Sequence, residues 1–176
     1  MKARYVTGSL TVAILVFIVG LTIAAQDRGA PRVLNGLALS DFHGYESWQV
    51  IAPSQTDDGL KAILGNPVMI KAYAEGIPGN GHAVPDGAMM AKIEWSKESN
   101  TVSPYPVNVP GTLKSLAFMM KDAKRFAASG GWGYAKFTYD SPSNTLTPSG
   151  TGSGCGYECH TRVKARDFVF TNYGRR

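Results

Sequence analysis

The chain is 176 residues long, 44% hydrophobic and 18% charged, with 18 lysines and arginines against 13 aspartates and glutamates and a formal net charge of +5. That length supports one buried core and argues against a second domain. The basic excess is mild and no lysine or arginine run is interleaved with aromatics, which excludes a nucleic-acid footprint. In chain order, Lys2 and Arg4 come first, followed by a low-polarity run from Leu10 to Ala25 with no carboxylate before Asp27. This is the layout of an export signal over residues 1–25, with Ala24 or Ala25 as cleavage points; the alternative is an uncleaved membrane anchor. Cleavage leaves 16 basic against 13 acidic side chains, a mature charge of +3. The expected destination is an exported, periplasmic one, an oxidising compartment where two cysteines would ordinarily pair.

Glycine and proline together supply 30 residues, which disfavours long helices and predicts short strands joined by many turns. Residues 26–44 read as a linker leading into a single domain over 45–176. Tyr45 to Ala52, with Trp48, Val50 and Ala52 at alternate positions, reads as a first strand. Asn66-Pro67 supplies a cap and a first helical position and Gly76 a left-handed stop, predicting a short helix over Val68 to Glu75. Asp86-Gly87 is a turn ahead of a strand from Ala88 to Trp95. In that strand Met90, Lys92 and Glu94 share one face and Met89, Ala91, Ile93 and Trp95 the more apolar one. Pro104, Pro106 and Pro110 break the next stretch into a loop before an apolar strand at Leu116 to Met120. Lys121 to Ala128 allows two helical turns, and Gly133 to Asp140 is an aromatic-rich strand. Ser141 to Gly154 reads as a polar loop, and Asp167 to Tyr173 as a closing strand.

The loop delivers Cys155-Gly156-Tyr157-Glu158-Cys159-His160. In a C-x-x-C-H arrangement two thiols add to the vinyl groups of haem and the adjacent histidine ligates its iron. Here three residues separate the cysteines where the standard spacing has two, a difference that a looser turn can absorb. Competing readings exist. A zinc site needs four ligands, and the remaining histidines, His43 and His82, are isolated. A Cys155–Cys159 disulfide closes too small a loop to stabilise much and leaves His160 without a role. A thioredoxin-type pair wants two intervening residues at a helix start within a βαβ unit, which the pattern lacks. Covalent haem c, with His160 as proximal iron ligand, uses all three side chains. None of the 16 residues after His160 is methionine, so a sixth ligand would have to come from Met69, Met89, Met90, Met119 or Met120. Those read as core residues, and His43 and His82 as surface or structural ones, so an open distal position is expected. A six-coordinate electron-transfer cytochrome and a haem-free β domain with a disulfide stay as alternatives.

Several segments together resemble the cytochrome P-460 family. They are Val84-Pro85-Asp86-Gly87 with Ala88 to Lys92, Lys121 to Phe126, the strand opening at Trp132-Gly133, and Cys155 to His160 with Asp167 to Thr171 behind it. Their order from about Tyr45 to Tyr173 carries the resemblance, since none of them is specific alone. It implies an α+β fold, predominantly antiparallel β-sheet with a few short helices, often a homodimer, holding a five-coordinate haem c. In the lysine-cross-linked members a lysine on the strand after the Asp-Gly turn bonds to the porphyrin, and Lys92 stands at that position. Such a third link would distort the macrocycle and shift its redox behaviour. Hydroxylamine-oxidising members place a carboxylate where Ala117 stands, and alanine does no acid–base work. A related branch with an apolar, aromatic distal pocket binds nitric oxide, which makes Phe118 a candidate distal-pocket residue. The expected partners are a small nitrogen-containing ligand or substrate and an electron-accepting cytochrome.

Overall fold

The computed structural model describes residues 37–149 and 154–174, with the backbone alone for Gly154 and Cys155. The chain divides into units Met1–Ala30 and Pro31–Arg176, and every described residue belongs to the second. The export signal expected over residues 1–25 lies outside the described residues, among which no helix is long and apolar enough to cross a membrane.

The second unit is built on one six-stranded antiparallel sheet in which every strand pairs with its neighbour in sequence. The strands are β1 (Gln49–Thr56), β2 (Gly59–Gly65), β3 (Met89–Asn100), β4 (Val107–Lys121), β5 (Trp132–Asp140) and β6 (Thr145–Pro148). Among the described residues two α-helices accompany them, α1 (Pro67–Ala74) between β2 and β3 and α2 (Gly154–His160) after β6. The helix expected over Val68 to Glu75 is α1, shifted by one residue. Asn66 Oδ1 accepts the Met69 amide at 3.0 Å, Pro67 opens the first turn, and Gly76 takes φ +82° just beyond it. Asn66 also donates to the Gly87 carbonyl at 2.8 Å and accepts from the Met89 amide at 3.0 Å, so one buried amide ties the helix start to the beginning of β3.

The alternation expected for β3 holds, and both faces of the sheet are covered. Residues opposite one another in the ladder share a face. Ala91, Phe118 and Ala135 pair across β3, β4 and β5 on one face, where Leu64, Leu116, Phe126 and Phe137 complete a core. Met90, Met119 and Tyr134 lie on the other, with Ile51, Met69, Val84, Trp132, Phe168 and Val169. This accounts for the two methionine pairs: each sends one side chain to each face, Met89 and Met120 to the first, Met90 and Met119 to the second.

Several elements differ from their sequence reading. Leu37, Ala38 and Phe42, within the stretch expected as a linker, are wholly buried, and the Phe42 ring stacks on Phe118 with centroids 4.2 Å apart. The apolar residues of that stretch are too few to show a period, yet burying a phenylalanine side chain is worth about 2 kcal/mol. Tyr45–Ser47 is a 3-10 turn and the first strand starts at Gln49. β2 and β6 were not expected. Pro53 and Pro148 sit on the edge strands β1 and β6, where a missing donor does no harm. Pro110 lies inside β4, but at an end that pairs only with β3.

Lys121 to Ala128 is not two helical turns. Lys121 ends β4 opposite Trp132, the Asp122 carboxylate accepts the Lys124 and Arg125 amides to form a turn, and a single 3-10 turn follows at Ala127–Ser129. Asp167 to Tyr173 is not a strand either. Asp167 and Phe168 take left-handed φ values of +47° and +63°, and side chains, not a ladder, hold the segment. Tyr73 Oη donates to the Thr171 carbonyl at 2.9 Å and Arg166 to the Phe170 carbonyl at 3.3 Å. The Lys121 ammonium meets both Asp167 oxygens at 2.8 and 2.9 Å and donates to the Gly130 carbonyl at 3.2 Å, while Asp167 accepts the Val84 amide at 2.7 Å. The two side chains are 6% and 12% exposed, so removing one partner strands a buried charge or its donors. Asp167→Asn is expected to lower unfolding free energy by about 3 kcal/mol in urea denaturation, and Lys121→Met by a similar amount.

Candidate functional site

The extra residue between the cysteines is absorbed by a helical turn. Cys155 and Cys159 both lie in α2, and positions four apart on a helix share one face, one turn above the other. The Cys155 side chain lies outside the described residues, whereas Cys159 is an exposed free thiol. His160 is the last residue of α2. The helix lies flat on β5 because Gly156 has no side chain: a Cβ there would come within 2.5 Å of the Tyr134 ring. That contact brings the Tyr134 and His160 rings to 5.2 Å, with Phe170 edge-on to His160 at 4.9 Å.

The imidazole is fixed by its own neighbour in space. His160 Nδ1 lies 2.6 Å from the Phe168 carbonyl oxygen. A carbonyl can only accept, so Nδ1 carries the proton and donates, and Nε2 keeps the lone pair a metal requires. The left-handed φ at Phe168 turns that carbonyl toward α2, and the adjacent Asp167 is held by Lys121. Burial pushes the His160 pKa down, the hydrogen bond to Phe168 opposes this, and the Lys92 charge adds to it. A depressed pKa keeps the ring neutral, the form that ligates a metal.

α2, the segment Val169 to Asn172, and the second face of the sheet enclose a cavity of about 680 Å³. This is within the range of small-molecule and cofactor sites. Cys159 and His160 line it from α2, and Lys92, Ala117, Met119, Tyr134 and Lys136 from β3, β4 and β5. Lys92 is exposed by area yet set in a concave wall. Burial there pulls its pKa down, Glu94 opposes that, and the charges of Lys61 and Lys136 add to it.

Of the residues singled out from sequence, the cavity therefore gathers Cys159, His160 and Lys92. Phe118 is placed differently. Its ring is 2% exposed and packs on Phe42, Tyr45 and Phe137 on the opposite face, so it meets the cavity only through its place in β4, and Ala117 and Met119 present their side chains there. His43 and His82 are exposed elsewhere. Among the described residues no group of three or more His, Cys, Asp or Glu is placed to hold a metal ion alone. Of the upstream methionines, Met90 and Met119 border the cavity. Lys61, Lys136, Tyr134 and Ser149 were missed. The pairing register brings Lys61, Tyr134 and Lys136 to one wall, the Lys136 carbonyl holds the Ser149 amide beside them, and no local motif marks them.

The neutral Nε2, the Cys159 thiol on the same turn and a cavity of this size fit a covalently held haem. The model of the family described as Cytochrome P460 matches residues 42–171, most of the chain. No curated protein matches it.

Gly156→Ala tests the seating of α2. The added methyl is expected to cost about 1–3 kcal/mol in thermal denaturation of the haem-free protein, because the Tyr134 ring is met close to its own backbone and must shift.

Proposed function

The chain belongs to the cytochrome P460 family, and we propose that it is an exported c-type haem protein with an open distal site for small nitrogen species, nitric oxide ahead of hydroxylamine. One observation carries this reading: Cys159 and His160, on one helical turn, open onto a single cavity in which His160 has its Nδ1 proton committed to Phe168 and Nε2 left to ligate. His160 would be the proximal ligand, and Cys155 and Cys159 would hold the two vinyl positions. When bound, haem supplies an iron that takes diatomic and N–O ligands and exchanges electrons.

The chain's own residues account for the preference within that class. On β4, Ala117 stands where a proton-accepting carboxylate would serve hydroxylamine oxidation, and a methyl group accepts no proton. Lys92, on β3 beside it, occupies the position of the family's cross-linking lysine. Its lowered pKa raises the share of neutral amine, the form with a lone pair for a bond to carbon. A second reading has an observation behind it as well. Met90 and Met119 border the cavity, so a thioether on the sixth position would give a six-coordinate electron carrier.

Protein matured in a host competent for cytochrome c assembly separates these readings. The expected result is an intact mass carrying one haem and a reduced spectrum that changes on adding nitric oxide or carbon monoxide. Proteolysis should leave the Lys92 peptide and the Cys159 peptide on the same haem. A low-spin spectrum indifferent to both gases would replace the open-site reading with the electron carrier. Lys92→Arg is expected to keep the haem mass while moving the reduced Soret band, since arginine cannot form the cross-link. An unmoved band would rule out the Lys92 cross-link.

A further inference from the structure

The cavity wall carries positive charge that haem attachment does not explain. Ile63, Lys92, Ala117 and Lys136 pair in a single row across β2, β3, β4 and β5, so all four face the cavity and the two lysines flank Ala117. Lys61, opposite Glu94 in the next row, lines the cavity as well. Its ammonium is 3.7 Å from Glu94, which Ser115 also approaches at 3.4 Å, so this nearby carboxylate is engaged with Lys61. Among the described residues that line the cavity there is no aspartate or glutamate. The methyl of Ala117 leaves the space between Lys92 and Lys136 open.

An independent observation lies beside Lys136. The Ser149 amide donates to the Lys136 carbonyl at 2.8 Å, which fixes Ser149 at the cavity wall. Its hydroxyl oxygen is buried and has no hydrogen-bond partner among the described residues. A buried hydroxyl left unsatisfied costs free energy that a ligand oxygen would recover.

We propose that Lys136 and the Ser149 hydroxyl form an oxyanion subsite of the cavity, within the field of Lys61 and Lys92, and that it takes a small planar monoanion such as nitrite. This rests on the haem reading above and adds an anionic ligand to the neutral nitrogen species named there. The ammonium supplies charge, and the hydroxyl a donor of fixed direction. Lys136 supplies that charge even when Lys92 is bonded to a porphyrin. A carboxylate of the prosthetic group itself has the same chemistry, and the variants tell the two occupants apart.

The experiment is a visible-spectrum titration of holoprotein with nitrite and with carbon monoxide, in wild type, Lys136→Met, Lys136→Arg and Ser149→Ala. Lys136→Met is expected to weaken nitrite about tenfold, the order expected from losing one nearby charge, while carbon monoxide affinity stays put. Lys136→Arg should retain most of the nitrite affinity, and Ser149→Ala should lose several-fold. Salt should weaken nitrite less in Lys136→Met than in wild type. Nitrite affinity held constant with a fall in haem yield that Lys136→Arg restores would place a haem carboxylate in the subsite. Unchanged nitrite affinity with unchanged haem yield overturns the subsite. A mass without haem overturns the proposed function instead. The subsite is then judged by whether nitrite raises the melting temperature of the haem-free protein in wild type but not in Lys136→Met, and no rise in either overturns it.

Discussion

The buried pair of Lys121 and Asp167 holds the site in place. Lys121 is the last residue of β4 and Asp167 lies 46 positions later, in a stretch with no ladder of its own. The pair fixes the C-terminal segment at the point where the backbone goes left-handed, and the next residue, Phe168, turns its carbonyl to the His160 ring. A rigid sheet thereby sets the orientation of an imidazole through one ion pair and one peptide. Buried pairs are weak sources of net stability, because desolvation offsets most of their attraction. Their geometry is demanding, and that specificity is what a metal-ligating histidine requires.

The sheet contributes in a different way. A meander in which every strand pairs with its sequence neighbour places residues far apart in the chain side by side, row by row. One row, Ala91, Phe118 and Ala135, faces a core of stacked aromatic rings; the adjacent row, Lys92, Ala117 and Lys136, faces the cavity. A single residue of slip in β4 would bring Phe118 to that wall in place of Ala117, between Lys92 and Lys136, and take its ring out of the aromatic core. The stacking of Phe42 on Phe118 therefore protects the register as well as filling space.

The cavity is polarised as a consequence. α2 and the C-terminal segment bring to one side a neutral imidazole among aromatic rings, and β2, β3 and β5 bring three ammonium groups to the sheet wall. A cofactor held from α2 would have a ligand approach from a wall that is cationic and, at Ala117, uncrowded. Such a wall attracts anions and raises their local concentration. Burial is the main cause that lowers the Lys92 pKa, and the charges of Lys61 and Lys136 add to it, so one arrangement bears on both ligand selection and lysine reactivity.

By itself the sequence determined the family, the α1 helix with its Asn66 cap and the alternation of β3, because each depends on spacings within a dozen residues or on motif order; it also singled out Cys155, Cys159 and His160 by their spacing, and Lys92 by family resemblance, as candidate site residues. It left open how three residues between two cysteines are accommodated, and the helical turn of α2 answers that through a contact between Gly156 and a ring on β5. Phe118 looked like a pocket residue because sequence gives neighbours but not the face they take; pairing with Ala91 and Ala135 decided that. Leu37 to Phe42 looked like linker because four apolar residues in so short a stretch show no period until a core receives them. The C-terminal segment looked like a strand because Phe168, Val169 and Phe170 have strand propensity, which Lys121 and the left-handed turn at Asp167 override. The cationic wall is the product of register alone, since Lys61, Lys92 and Lys136 are separated by 31 and 44 residues and meet only when four strands are in place.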